Sequence, residues 1–139
     1  MGSNVLQSDF YDAFQRHWKD AESLYVDSRW ANADQLYAYS AECGLKCLMQ
    51  QLFGMPINPV SRKDRVHANE IWNRYEAYRA GIGVTGYVLP QPNPFDDWDI
   101  SHRYAHEMNF NQAGVDVHKN GTKIVKGLIQ KAILEGRIV

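Results

Sequence analysis

The chain has 139 residues, 45% of them hydrophobic and 22% charged, with a formal net charge of −1 at pH 7. That length and balance suit a single packed domain spanning 1–139 and exclude a disordered chain. With a pI near 6.5 there is no bulk basic field to draw the protein onto phosphate backbones, so any nucleic-acid contact must come from a local patch.

The opening ten residues lack a basic region followed by an apolar run, so no signal peptide is expected, and residues 1–7 read as a tag or flexible lead. No apolar run approaches the length of a membrane span, which leaves a cytoplasmic location as the expectation. The only cysteines, Cys43 and Cys47, lie four apart in a helical stretch. A disulfide there would strain the helix, and no further ligand set accompanies them, so they are expected to be reduced core thiols.

Helical periodicity runs through most of the chain. A first helix is expected over about residues 8–27, with Ser8 and Asp9 at its amino end and Phe10, Phe14, Trp18 and Tyr25 along one stripe. A second spans about 32–53 and is closed by Gly54 and Pro56. Its apolar face carries Leu36, Tyr37, Ala41, Leu45, Leu48 and Leu52, with Gly44 in mid-helix. Gly44 costs about 1 kcal/mol against alanine in such a position, which implies a compensating packing demand.

After a connection with Pro56 and Pro59, a third helix is expected over about 63–80, with Val66, Ile71, Trp72, Tyr75 and Tyr78 inward. Residues 81–97 hold three glycines and three prolines and cannot stay helical; Tyr87, Val88 and Leu89 are expected to pin this loop. A short helix from Asp97 or Asp99 should cover ISHRYAHEM. The last helix, over about 112–135, is expected to bury Val117, Ile124, Val125, Leu128, Ile129, Ala132 and Ile133. Lys119, Lys123, Lys126 and Lys131 would lie largely opposite. Without an alternating strand anywhere, the fold class is all-α: an up-down antiparallel bundle of four long helices plus one short helix.

The stretch SAECGLKCLMQ, the piece DDWDISHRY and His67 after a proline-containing loop together resemble the HEPN family, and the order of elements agrees over nearly the whole chain. The resemblance implies a HEPN-like bundle, often a homodimer, that binds nucleotides or RNA, often within stress or defence systems. Active members cut RNA with an arginine followed by a histidine after four to six intervening residues. Here that spacing from Arg103 leads to Met108, Asn109 or Phe110, and the nearby histidine is His106. A formal match joins Arg62 to His67, across a loop and a helix start. The altered spacing is why the expected function is binding, with a metal-independent ribonuclease as the alternative and a dimerising interaction module as another.

Several residues carry candidate chemistry. Arg103 and His106, at i,i+3, would share a helical face and act as the catalytic pair on one phosphate. Glu42 and Lys46 form an i,i+4 pair that His67 or Arg103 can complete as a polar cluster, and Tyr104 beside Arg103 is a candidate base-stacking ring. Asp99, His102 and His106 can be drawn as metal ligands at helical spacing, but the third ligand has no support, and no metal or cofactor is expected. His17 reads as a boundary histidine. His118 has no partner at any recognisable spacing.

Overall fold

The computed structural model describes residues 6–59 and 61–138; the tag or flexible lead expected over residues 1–7 falls largely outside them. The described chain is all-helical, and no strand occurs among the described residues. Four α-helices carry the fold: α1 (Phe10–Val26), α2 (Trp30–Phe53), α3 (Ala68–Gly81) and α4 (Gln112–Leu134). No helix among the described residues is long and apolar enough to cross a membrane.

The helix ends follow local chemistry. Asp9 caps α1 by accepting a hydrogen bond from the Asp12 amide at 2.9 Å, and Asn111 caps α4 through the Gly114 amide at 2.9 Å. At the end of α2 the chain reverses at Gly54 with φ of 62°, a left-handed turn that glycine adopts without strain. The third helix starts later than periodicity suggests. Residues Arg62–Asp64 form a separate 3₁₀ turn, and His67 is extended, which stops helix propagating back into it.

α2 is the centre of the bundle and packs against α1, α4 and α3. This follows from its composition. Ala33, Tyr37, Ala38, Ser40, Ala41, Gly44, Leu45 and Leu48 bury successive sides of the helix, so it can accept neighbours almost all round. At Gly44 an added Cβ would meet Val125 Cγ1 at 2.6 Å and Phe14 Cδ1 at 3.0 Å. The glycine therefore lets side chains of α1 and α4 pack directly onto the α2 backbone.

Two expectations need correction. The face of α4 is rotated: Val115, His118, Thr122, Val125, Ile129 and Ala132 are buried, whereas Val117, Ile124 and Ile133 are exposed. The buried set includes a histidine and a threonine whose polar groups are satisfied inside: Thr122 donates to the Tyr37 carbonyl at 2.8 Å. Hydrophobicity alone therefore misjudged the stripe. The segment ISHRYAHEM is not one short helix but two 3₁₀ turns, Ile100–Tyr104 and Glu107–Asn109. Asp99 and His102 close a capping box on the first turn, and His106, extended at φ −65° and ψ 141°, caps the second.

Loop 81–97 is pinned by Tyr87 and Leu89, both buried, while Val88 faces outward. Tyr75 donates to the Tyr87 carbonyl, Leu89 N–H donates to Glu76, and Trp72 Nε1 donates to the Pro90 carbonyl. Farther along, Phe95 and Trp98 are buried and carry the chain across the bundle to the 3₁₀ turns.

Candidate functional site

Glu42, in the middle of α2, is only partly buried. One carboxylate oxygen accepts from Lys46 Nζ at 2.9 Å and the other lies 2.9 Å from His67 Nδ1. Side-chain exposure falls from 39% at His67 to 15% at Glu42 and 6% at Lys46. The imidazole is thus the accessible member of a chain whose inner members are largely withdrawn from water. A carboxylate and an ammonium so placed offset one another's desolvation, which neither would survive alone.

This trio opens on a pocket of about 530 Å³. Arg62 and Arg65, from the 3₁₀ turn and the residue after it, supply exposed cations on one side; Phe10 and Pro59 supply apolar walls. Three basic side chains, Lys46, Arg62 and Arg65, therefore line the pocket with one acidic one, Glu42. The pocket is locally basic in a chain that is slightly acidic overall, and the ring of Phe10 also lies 5.9 Å beneath Lys46 Nζ.

The tautomer of each histidine follows from what its Nδ1 meets. A carboxylate only accepts, so His67 Nδ1 carries a hydrogen and its Nε2 keeps a lone pair when the ring is neutral. His106 is the reverse. Its Nδ1 accepts from the Met108 amide at 3.1 Å, which puts the ring hydrogen on Nε2. His102 Nδ1 accepts in the same way from the Asp99 amide at 3.4 Å. Of these three rings, His67 alone is set to take a proton at Nε2.

Arg103 does not join the Glu42 trio. It lines a second pocket, of about 540 Å³, between the start of α2 and the 3₁₀ turns, together with His106. Its guanidinium lies 4.8 Å over the Tyr104 ring, and hydrogen bonding to Tyr39 raises its pKa further. Tyr104 itself is 77% exposed. His67, and not Arg103, therefore completes the cluster with Glu42 and Lys46. The break between the two 3₁₀ turns puts Arg103 and His106 on different elements rather than on one helical face.

Among the described residues no group of three histidine, cysteine, aspartate or glutamate side chains is placed to hold a metal ion. Asp99 and His102 are engaged with each other's backbone, and His106 belongs to the next turn. Burial pushes the Cys43 thiol up to about 12 and the Cys47 thiol up to about 11, so neither is a thiolate nucleophile near neutral pH.

One buried cluster had no signature in the sequence. His118 on α4 is flanked by Asp34 of α2, at 2.5 Å from Nδ1, and by Asp97 of the long loop, at 2.8 Å from Nε2. Its ring stacks on Phe95 with centroids 5.3 Å apart. Burial opposes its charge, but the hydrogen bond and charge of Asp34, followed by those of Asp97, outweigh it and raise its pKa. His17, beside Tyr39 at the edge of the site, is lowered by burial first and then by Arg16.

Compared with models of known families, with curated proteins and with solved structures, the chain matches none.

Proposed function

We propose that this chain is a nucleotide- or RNA-binding domain of the HEPN type, and that a phosphate of the ligand seats in the Glu42 pocket. The observation that carries the reading is the convergence of Lys46, Arg62 and Arg65 on one cavity beside the Glu42–His67 pair. Arginines at the mouth supply forked donors to phosphate oxygens, and the Phe10 ring offers an apolar surface to a base. The resemblance of the α2 segment and of His67 to HEPN sequences supports the same reading, and homodimerisation, also implied by that resemblance, belongs to the proposal.

Fluorescence anisotropy with labelled single-stranded RNA and with a labelled nucleotide tests it across a salt series. Log affinity should fall with log salt by roughly 0.7 for each phosphate neutralised. The double variant Arg62→Ala, Arg65→Ala should bind about tenfold or more weakly, as expected for lost charge-assisted bonds. Salt-independent binding, or binding unchanged in that variant, overturns the reading. Sedimentation velocity tests the dimer.

A second reading, a metal-independent ribonuclease, is favoured by the tautomer of His67 rather than by Arg103 and His106. In that reaction His67 Nε2 takes the proton of a ribose 2′-hydroxyl as its oxygen attacks the neighbouring phosphorus. The bond to the 5′-oxygen breaks, a 2′,3′-cyclic phosphate forms, and solvent protonates the leaving oxygen. Arg62 and Arg65 would oppose the added charge on phosphorus, with Glu42 holding the ring. Cleavage in EDTA that is lost in His67→Asn and kept in His106→Asn supports this chemistry. Cleavage that survives His67→Asn, or never occurs, removes it and leaves the binding reading intact.

A further inference from the structure

The second pocket has its own chemistry, independent of the Glu42 pocket. It is bounded by Arg29, Trp30 and Asn32 at the start of α2, and by His102, Arg103 and His106 on the 3₁₀ turns. Glu107 is the one carboxylate at its rim. Both histidines are fixed by backbone amides at Nδ1, so each presents Nε2–H as a donor and holds no lone pair for the cavity. Arg29 forms no side-chain cap on α2, which leaves its guanidinium uncommitted to that helix end. Arg103 is held on the Tyr104 ring.

We infer that this pocket is a separate phosphate-binding site, filled by the phosphate of a free nucleotide or of a nucleic-acid strand. Two guanidinium groups and two imidazole N–H donors from three chain segments surround about 540 Å³, and an oxyanion with several acceptors answers that set. A cation or a neutral hydrogen-bond donor does not. The ring of Trp30, half-buried against Tyr25, forms the wall beside which a base fits.

The two pockets are neighbours. Trp98 lies between them, with its ring centroid 6.3 Å from that of His67 and 6.4 Å from that of His102. Trp98 is buried, and its Nε1–H has no hydrogen-bond partner among the described residues. A strand that entered both pockets would exceed a mononucleotide in affinity through the second contact.

Side-chain ¹H–¹⁵N NMR of the histidines tests the site. Titration with inorganic phosphate should shift His102 and His106 in the wild type. The double variant Arg29→Ala, Arg103→Ala should need about tenfold more phosphate or greater to produce the same shift, and Arg29→Lys, Arg103→Lys should restore part of it. Both arginines are exposed, and far-UV circular dichroism verifies that the variants keep their helices. AMP and an oligouridylate then identify the source. Oligomer affinity more than tenfold above that of AMP marks a strand, and equal affinities mark a free nucleotide. Phosphate that moves only His67, or saturates the double alanine variant at the wild-type concentration, overturns the inference. A His67 response that is absent in the wild type, or unchanged in Arg62→Ala, Arg65→Ala, with His102 and His106 responding in both, would fail the Glu42-pocket reading alone.

Discussion

His118 Nδ1 and Asp34 Oδ1 lie 2.5 Å apart inside the bundle, although 84 residues separate them in the chain. Asp97 completes the arrangement from the opposite ring nitrogen, so one imidazole ties α4 to α2 and to the long loop. Removing the ring leaves the Asp34 carboxylate buried without its cation. His118→Ala should therefore lower stability by about 3–5 kcal/mol, the usual cost of orphaning a buried charge. Urea denaturation followed by circular dichroism measures it; a loss below about 1 kcal/mol would mean that the ion pair contributes little.

The same cluster sets a pH dependence. The folded pKa of His118 is raised above 6.5, chiefly by Asp34 once burial is overcome. Its contribution is complete below the unfolded imidazole value, about 6.5, and is lost as pH rises through the folded value. The urea midpoint should accordingly decline on going from near pH 6.5 into the alkaline range. In Asp34→Asn, which removes the charge that raises the pKa, that decline should shrink. A midpoint that rises with pH over this window in the wild type contradicts the assignment.

Glycines on the helices should respond oppositely to alanine. Gly44→Ala gains helix propensity but drives a methyl group to 2.6 Å from Val125 Cγ1, so a net loss of about 1–2 kcal/mol is expected. Gly127→Ala meets nothing within 4 Å and should stabilise by about 0.5–1 kcal/mol. Thermal melts of the two variants in parallel decide the matter.

Glu42 separates a positioning role from a ligand contact. Glu42→Gln deprives the buried Lys46 of its counter-charge, and the melting temperature should drop. It also removes the one anion of the pocket, so phosphate or RNA affinity measured on the folded variant should equal or exceed that of the wild type. Weaker binding would mean that the carboxylate itself touches the ligand.

The lysines of α4 give a contrasting expectation. Lys119 Nζ lies 3.8 Å over Tyr25, Lys126 Nζ 4.7 Å over Trp18 and Lys131 Nζ 4.6 Å over Tyr87. These cations are engaged with rings of the protein. Lys119→Ala with Lys126→Ala should cost about 0.5–1 kcal/mol of stability per lysine and change RNA affinity by less than about twofold. A large affinity loss would instead make this helix the phosphate-tracking surface.

The helices were readable in the sequence because their caps and breakers are local. Asp9, Asn111, Gly54 and the glycine–proline loop act within a few residues of the ends they set. Glu42 and Lys46 were readable for the same reason, since i,i+4 spacing brings them together on any helix. The partnership of His118 with Asp34 was not, because no spacing rule spans two helices. The register of α4 held the only clue: His118 and Thr122 continue the line of Val115, Val125 and Ile129, and exposed Val117 and Ile124 obscured it. The pocket around Arg103 was hidden differently. Side-chain capping by His102 and His106 replaced an expected helix by two turns, and pairing at i,i+3 lost its meaning there.

Trp98 has a practical consequence. Its indole sits within ring distance of His67 and His102, and an imidazolium quenches excited indole far better than a neutral ring does. Whatever changes the protonation of either histidine therefore changes the emission of this one fluorophore. In a background where Trp18, Trp30 and Trp72 are replaced by phenylalanine, the molecule carries a built-in optical probe at the boundary of its two basic hollows, and no dye need be attached.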